Sequence, residues 1–151
     1  MIENILVATT ISVAFAILFN APKRALLPIV FLGIVALLVR TFMLDYYGLS
    51  IEFATFMASL SIGILCIFFS SIQNIPILVY AISSSIVLVP TMNAYKAMIG
   101  LLQISTNHIM DQALIIQTLH YSLKTWFIFG AIAIGVVIPT QFISKHRFKI
   151  L

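Results

Sequence analysis

Residues 51–72 read IEFATFMASLSIGILCIFFSSI and carry one charge, Glu52, next to their start. A helix needs about 20 mostly apolar residues to cross about 30 Å of hydrocarbon, and this stretch supplies them. It lacks the strict polar–apolar alternation of a strand in a membrane barrel. Ala54 and Ala58 lie four residues apart, as do Thr55, Ser59 and Gly63. Residues at that spacing share a helix face, and small residues on one face let helices approach closely. Two readings of the face stand open. One is helix packing; the other sets the hydroxyls of Thr55, Ser59 and Ser61 along a substrate path.

Working outward, four more apolar segments emerge, so the spans are expected at about 5–20, 25–44, 51–72, 76–104 with a kink at Pro90, and 111–142. This pattern predicts an all-α integral membrane protein of about five transmembrane helices, the fourth broken at Pro90, forming a single transmembrane domain over 1–151. The first segment is marginal in length and repeats the small-residue face with Ala8, Ser12 and Ala16. It opens Met1-Ile2-Glu3-Asn4, acidic where a signal peptide is basic, and is expected to stay as a span. The breaks are chemically sensible. Proline disfavours helix in the residue before it, which fits Asn20-Ala21-Pro22 and Gln73-Asn74-Ile75-Pro76. Asp45-Tyr46-Tyr47-Gly48-Leu49-Ser50 makes a turn, with Ser50 as expected N-cap of the next helix and Glu52 in its first turn.

Composition agrees. Only 8% of the residues are charged and 62% are hydrophobic, against about 25% charged in soluble domains; the mean hydropathy is +1.18. So few charges cannot cover a water-facing surface. The net charge of +4 comes largely from two clusters, Lys23-Arg24 and Lys145-His146-Arg147-Phe148-Lys149. These mark topology and form no contiguous basic face for nucleic acid. With five spans, both clusters share one side, which holds five basic residues and no acidic one. The other side holds Glu3, Arg40, Asp45, Glu52, Lys96, Asp111 and Lys124. The expected orientation is therefore N-terminus outside and C-terminus cytoplasmic. The single cysteine, Cys66, excludes a disulfide framework and reads as a small apolar residue. His108, His120 and His146 have no metal-ligand spacing, and no nucleophile–base set or phosphate loop is present. No enzyme activity, metal or cofactor is expected.

Some polar residues do fall within the apolar segments. Pro90 interrupts the fourth, and a proline clashes with the carbonyl four residues back, here that of Ile86. Freed backbone groups are tolerated in a membrane only against protein or a wet cavity, and broken helices often build the midplane sites of transporters. Ser83-Ser84-Ser85 precedes the break; Asn93 and Lys96 follow it. A simple kink stabilised by neighbours explains the same residues. In the fifth segment Gln117, His120 and Lys124 form a polar stripe. There His120 either relays protons or sits at the interface. Arg40 shares a face with Gly33 and Ala36. It either binds a carboxylate, or snorkels or pairs with Asp45 or Glu52.

Four elements then resemble one known family. Phe19-Asn20-Ala21-Pro22-Lys23-Arg24-Ala25-Leu26 is similar to the F-N-x-P-x-R-A-L element of the threonine/serine exporter family. Phe53-Ala54-Thr55-Phe56-Met57-Ala58-Ser59 is similar to its T-F-M-A-S element. Val89-Pro90 before Ala94-Tyr95-x-Ala97-Met98 resembles its proline-centred stretch, and Gly130 to Pro139 its terminal G-A-x-x-I-G-x-x-I-P. Their order covers nearly the whole chain. The sequence departs from the family at Thr91-Met92-Asn93, where a proline–glycine step is usual.

In length the chain resembles the short YjjB-like subunit of that family. The resemblance implies a secondary exporter in the bacterial inner membrane, working with a larger YjjP-like membrane subunit. It implies export of threonine and serine or of C4-dicarboxylates such as succinate. With few polar groups in its spans, one copy is not expected to form a whole hydrophilic pathway, so a partner or a homo-oligomer should complete it. The expected substrate-binding residues are Arg40, Thr55, Ser59, Pro90, Asn93 and Lys96. Asp45, Glu52 and His120 are the expected proton-coupling residues. The rival reading is a non-transporting membrane scaffold or assembly subunit.

Overall fold

The computed structural model describes residues 2–106 and 112–147. The expected start of the fifth segment at Asp111, together with His108 and Lys149, lies outside the described residues. The described residues form helices α1 (Ile2–Leu18), α2 (Leu26–Asp45), α3 (Ile51–Gln73), α4 (Ile77–Ser85), α5 (Thr91–Thr106) and α6 (Gln112–Arg147). Two 3-10 turns, Lys23–Ala25 and Ile86–Leu88, lead into α2 and out of α4. No strand occurs among the described residues.

The helix ends follow local chemistry. Asn20 takes the left-handed conformation at φ 52°, which asparagine tolerates better than most residues. Its N–H donates to Ile17 O at 2.9 Å, and the Ala21 N–H donates to Ala16 O at 2.8 Å, the paired bonds of a Schellman stop. Asn74, at φ 55°, ends α3. Ser50 does stand at the N-cap of α3, but its side chain makes no capping hydrogen bond. The serine therefore marks the boundary through its extended backbone alone.

The chain divides into two compact units, Met1–Leu88 with Ala131–Leu151, and Val89–Gly130. In the first, α2 packs against α1, α3 and α4. Small residues set these contacts. Ala8, Ser12 and Ala16 of α1 are buried, as are Gly33 and Ala36 of α2 and Ala54, Thr55, Ala58, Ser59 and Gly63 of α3. A Cβ on Gly33 would collide with Ser12 Oγ and touch Val87. The turn from α3 to α4 is tied twice: Ser70 Oγ donates to Ile75 O at 2.7 Å, and Tyr80 OH to Gln73 Oε1 at 2.9 Å. The second unit pairs α5 with the first half of α6, where Ala97, Gly100 and Thr118 are buried.

The outward surface is apolar. Leu27 is 83% exposed and Trp126 is 77% exposed. Apolar cover on this scale marks a face meant for lipid or partner protein. The expected count of five spans needs correction. Among the described residues, three helices are long and apolar enough to cross a membrane: Lys23–Asp45, Ile51–Gln73 and Gln112–Gln141. The count rises to four if Ile77–Leu88 and Thr91–Thr106 act as one interrupted span. The 17 residues of α1 fall short, because at about 1.5 Å per residue they reach less than the hydrocarbon thickness. The expected outside N-terminus rested on five crossings, since an even number returns both termini to one side.

Candidate functional site

The interruption at Pro90 is built from three steps. The chain tightens from α4 into the 3-10 turn Ile86–Leu88, passes Val89-Pro90, and restarts as α5 at Thr91. Pro90 has no N–H to offer the preceding turn, so the last carbonyls of the α4 segment need other donors. Within the first unit, Arg40 supplies one: its Nη1 donates to Leu88 O at 3.3 Å. The sequence pointed to the Ile86 carbonyl, but the guanidinium lies at the carbonyl two residues later. The negative end of a helix favours a cation there. Arg40 is half-buried and forms no ion pair with Asp45 or Glu52. A guanidinium has five N–H donors, and this contact uses one of them.

Thr55 and Ser59 lie fully buried on α3. Thr55 Oγ1 donates to Ile51 O at 2.6 Å, and Ser61 Oγ to Met57 O at 3.0 Å, both one turn back. Ser59 Oγ contacts Phe56 O at 2.9 Å and reaches across to Ala131 O of α6 at 3.0 Å. Ser59 also fills the space that a side chain on Gly135 would need, while a Cβ on Gly63 would sit 2.9 Å from Pro139 Cγ and 3.0 Å from Val136 O. The small-residue face of α3 is thus a close helix contact whose hydroxyls are hydrogen-bonded to backbone. Asp45 is exposed, and with Phe42 and Tyr46 it borders an apolar hollow along α2 of about 540 Å³. Glu52 is half-buried in the first turn of α3.

The remaining expected residues belong to the second unit. Pro90 is buried and Asn93 half-buried. Lys96 lies in a groove of about 250 Å³ between α5 and α6, with Gly100 and Gln103 from its own helix and Gln117, Thr118 and Tyr121 opposite. Its Nζ sits 5.1 Å from the centre of the Tyr121 ring, within cation–π range. His120 is exposed and meets Tyr121 edge-on, outside the groove lining. The structure therefore gathers Lys96 with Gln117, while Arg40, Thr55 and Ser59 lie in the other unit. Gln103, Thr118 and Tyr121 were not anticipated. The spacing Leu114, Gln117, Thr118, Tyr121 carries the signal, since residues three and four apart share a helix face.

A Haemophilus influenzae protein named only "Uncharacterized protein" is 33% identical over 147 residues, covering 97% of this chain and 49% of that protein. The chain thus spans about half the length of that curated relative. No solved structure matches it. The family model described as "Threonine/Serine exporter, ThrE" matches residues 4–142, a stretch that holds the capped break, the α3–α6 contact and the Lys96 groove, and the chain belongs to the threonine/serine exporter family.

Proposed function

We propose that this chain is a membrane subunit of a secondary exporter of small polar carboxylate metabolites, threonine and serine or C4-dicarboxylates such as succinate. The observation that carries the reading is the interrupted helix, whose Leu88 carbonyl is held by Arg40. Family membership gives the transport class. A helix end inside a bundle, with a guanidinium beside it, gives that class a place to handle a carboxylate. The substrate carboxylate takes the donors of Arg40 that the Leu88 carbonyl leaves free, in the two-pronged manner arginine favours. A larger partner subunit, in the same bacterial inner membrane, contributes the share of pathway that this chain lacks. The matched relative carries about as much chain again, which supports a two-part machine.

The test uses cells lacking this chain and loaded with labelled threonine, serine or succinate. Restoring the chain with its partner should speed efflux of one of them. Arg40→Met should slow that efflux about tenfold, the cost of one charge-assisted interaction, with membrane abundance unchanged and Arg40→Lys recovering part. Undiminished efflux in Arg40→Met removes the arginine from the site. No flux of any acid in any combination of subunits leaves the scaffold reading standing. A C-terminal reporter active only in the cytoplasm checks the placement of the tail that the Lys/Arg bias favours.

A further inference from the structure

The groove of the second unit contains the chemistry of a ligand site. Its one charge is Lys96, and Lys96 has no carboxylate partner among the described residues. The Gln103 and Gln117 side chains line the same groove, and neither hydrogen-bonds a described residue. All three side chains are exposed, and wherever such a face meets hydrocarbon a lysine and two amides are costly. Each amide offers both donors and an acceptor, and the ammonium offers donors alone. The wall opposite Lys96 is fixed. Gly100 lets α5 press against Thr118, whose Oγ1 donates to Leu114 O at 2.7 Å. The Tyr121 ring steadies the ammonium from one face, leaving its other donors free. A cavity of about 250 Å³ lies just below the range of drug-sized pockets, about 300–1,000 Å³, and suits a small metabolite.

We infer that this groove binds a small carboxylate bearing a second polar group. Lys96 takes the carboxylate, and Gln103 and Gln117 take the hydroxyl, ammonium or second carboxylate. Tyr121 is a positioning residue for Lys96. The inference rests on the exporter reading for its ligand class, and adds to it a site separate from Arg40, in the other unit.

The experiment measures equilibrium binding of radiolabelled L-threonine and of radiolabelled succinate to the full chain in nanodiscs. Lys96→Met should weaken binding of the acid that binds by about tenfold or more, Lys96→Arg should stay within about threefold, and Gln117→Leu should lose about threefold. Lys124→Met, which alters another cation of the same unit outside the groove, should change nothing. Binding that survives Lys96→Met, or falls equally in Lys124→Met, overturns the site. So does a wild-type chain that binds neither acid, including one whose Lys96→Met variant instead loses its partner subunit on purification. Efflux separates the two levels. If cells export one acid equally well with wild type and Lys96→Met, the groove is excluded while the exporter reading stands. If the wild-type pair exports neither acid, both fall.

Discussion

In the first unit, the hydroxyls of Thr55, Ser59, Ser61 and Ser84 all reach backbone carbonyls, at distances of 2.6–3.0 Å. In the second, Lys96, Gln103 and Gln117 face one groove and hydrogen-bond no described residue. Both units are made of helices from the same hydrophobic chain, yet these short hydroxyl side chains of the first are bonded to backbone, while the long polar side chains in the groove of the second are not. Small side chains explain the first pattern. Serine and threonine are short enough to bond back to their own helix one turn away, so they can line a close contact without needing an outside partner. Lysine and glutamine extend past the helix surface, and their polar ends need something beyond it. The contrast separates hydroxyls bonded within the helix packing from longer polar side chains that hydrogen-bond no described residue.

The sharpest way to break this comparison is to overfill the tighter contact. Gly135 faces Ser59 across the α3–α6 contact, and a Cβ there would also sit 3.1 Å from Leu60 N. The backbone at that distance cannot swing away as a side chain can. Gly135→Val should cost about 3 kcal/mol, the upper range for overpacking, and should deplete folded protein in the membrane. Unfolding titrations in mixed detergent micelles would measure it. Wild-type stability in Gly135→Val would mean that α3 and α6 are not packed as described.

The second unit should respond less to a similar insult. The three atoms nearest to a Cβ on Gly100 all belong to the side chain of Thr118 rather than to backbone, on helices with exposed flanks. Alanine also favours helix over glycine by about 1 kcal/mol, offsetting part of the clash. Gly100→Ala should therefore lose about 1 kcal/mol in the same titration, and adding Thr118→Ala should return some of it. A loss matching that of Gly135→Val would erase the distinction between a tight contact and a loose groove.

These contacts show what could be read from sequence. The Pro22, Asn74-to-Pro76 and Pro90 breaks were legible because they depend on the local backbone. The shared face of α3 was legible too, since residues four apart lie on one side of a helix, although the spacing alone left helix packing and a substrate path both open. What faces it was not: nothing within 51–72 names Gly135 and Ala131 as the partners of Ser59. The span count failed at α1, where apolar composition was clear but 17 residues are too few. In the fifth segment the polar stripe Gln117, His120, Lys124 and the groove lining Gln117, Thr118, Tyr121 both obey helical spacing. They differ by a small rotation about the axis, which only the packing of α5 fixes.

The smallest effect tests the rule at its exception. Ser12 and Ser83 are fully buried, and neither Oγ has a hydrogen-bond partner among the described residues. An unpartnered buried hydroxyl destabilises, and removing it relieves that penalty. The lost volume is one oxygen atom, so the cavity term is small. Ser12→Ala should therefore leave stability unchanged or raise it by about 1 kcal/mol. Ser59→Ala, which removes the link to Ala131 O, should lower it by a similar amount. Opposite signs for two serine-to-alanine changes within one unit are hard to obtain from helix propensity, because alanine is the better helix former at both positions. A Ser12→Ala variant that loses as much as Ser59→Ala would place a bonding partner at Ser12, and the first unit would then satisfy that hydroxyl as it does those of α3.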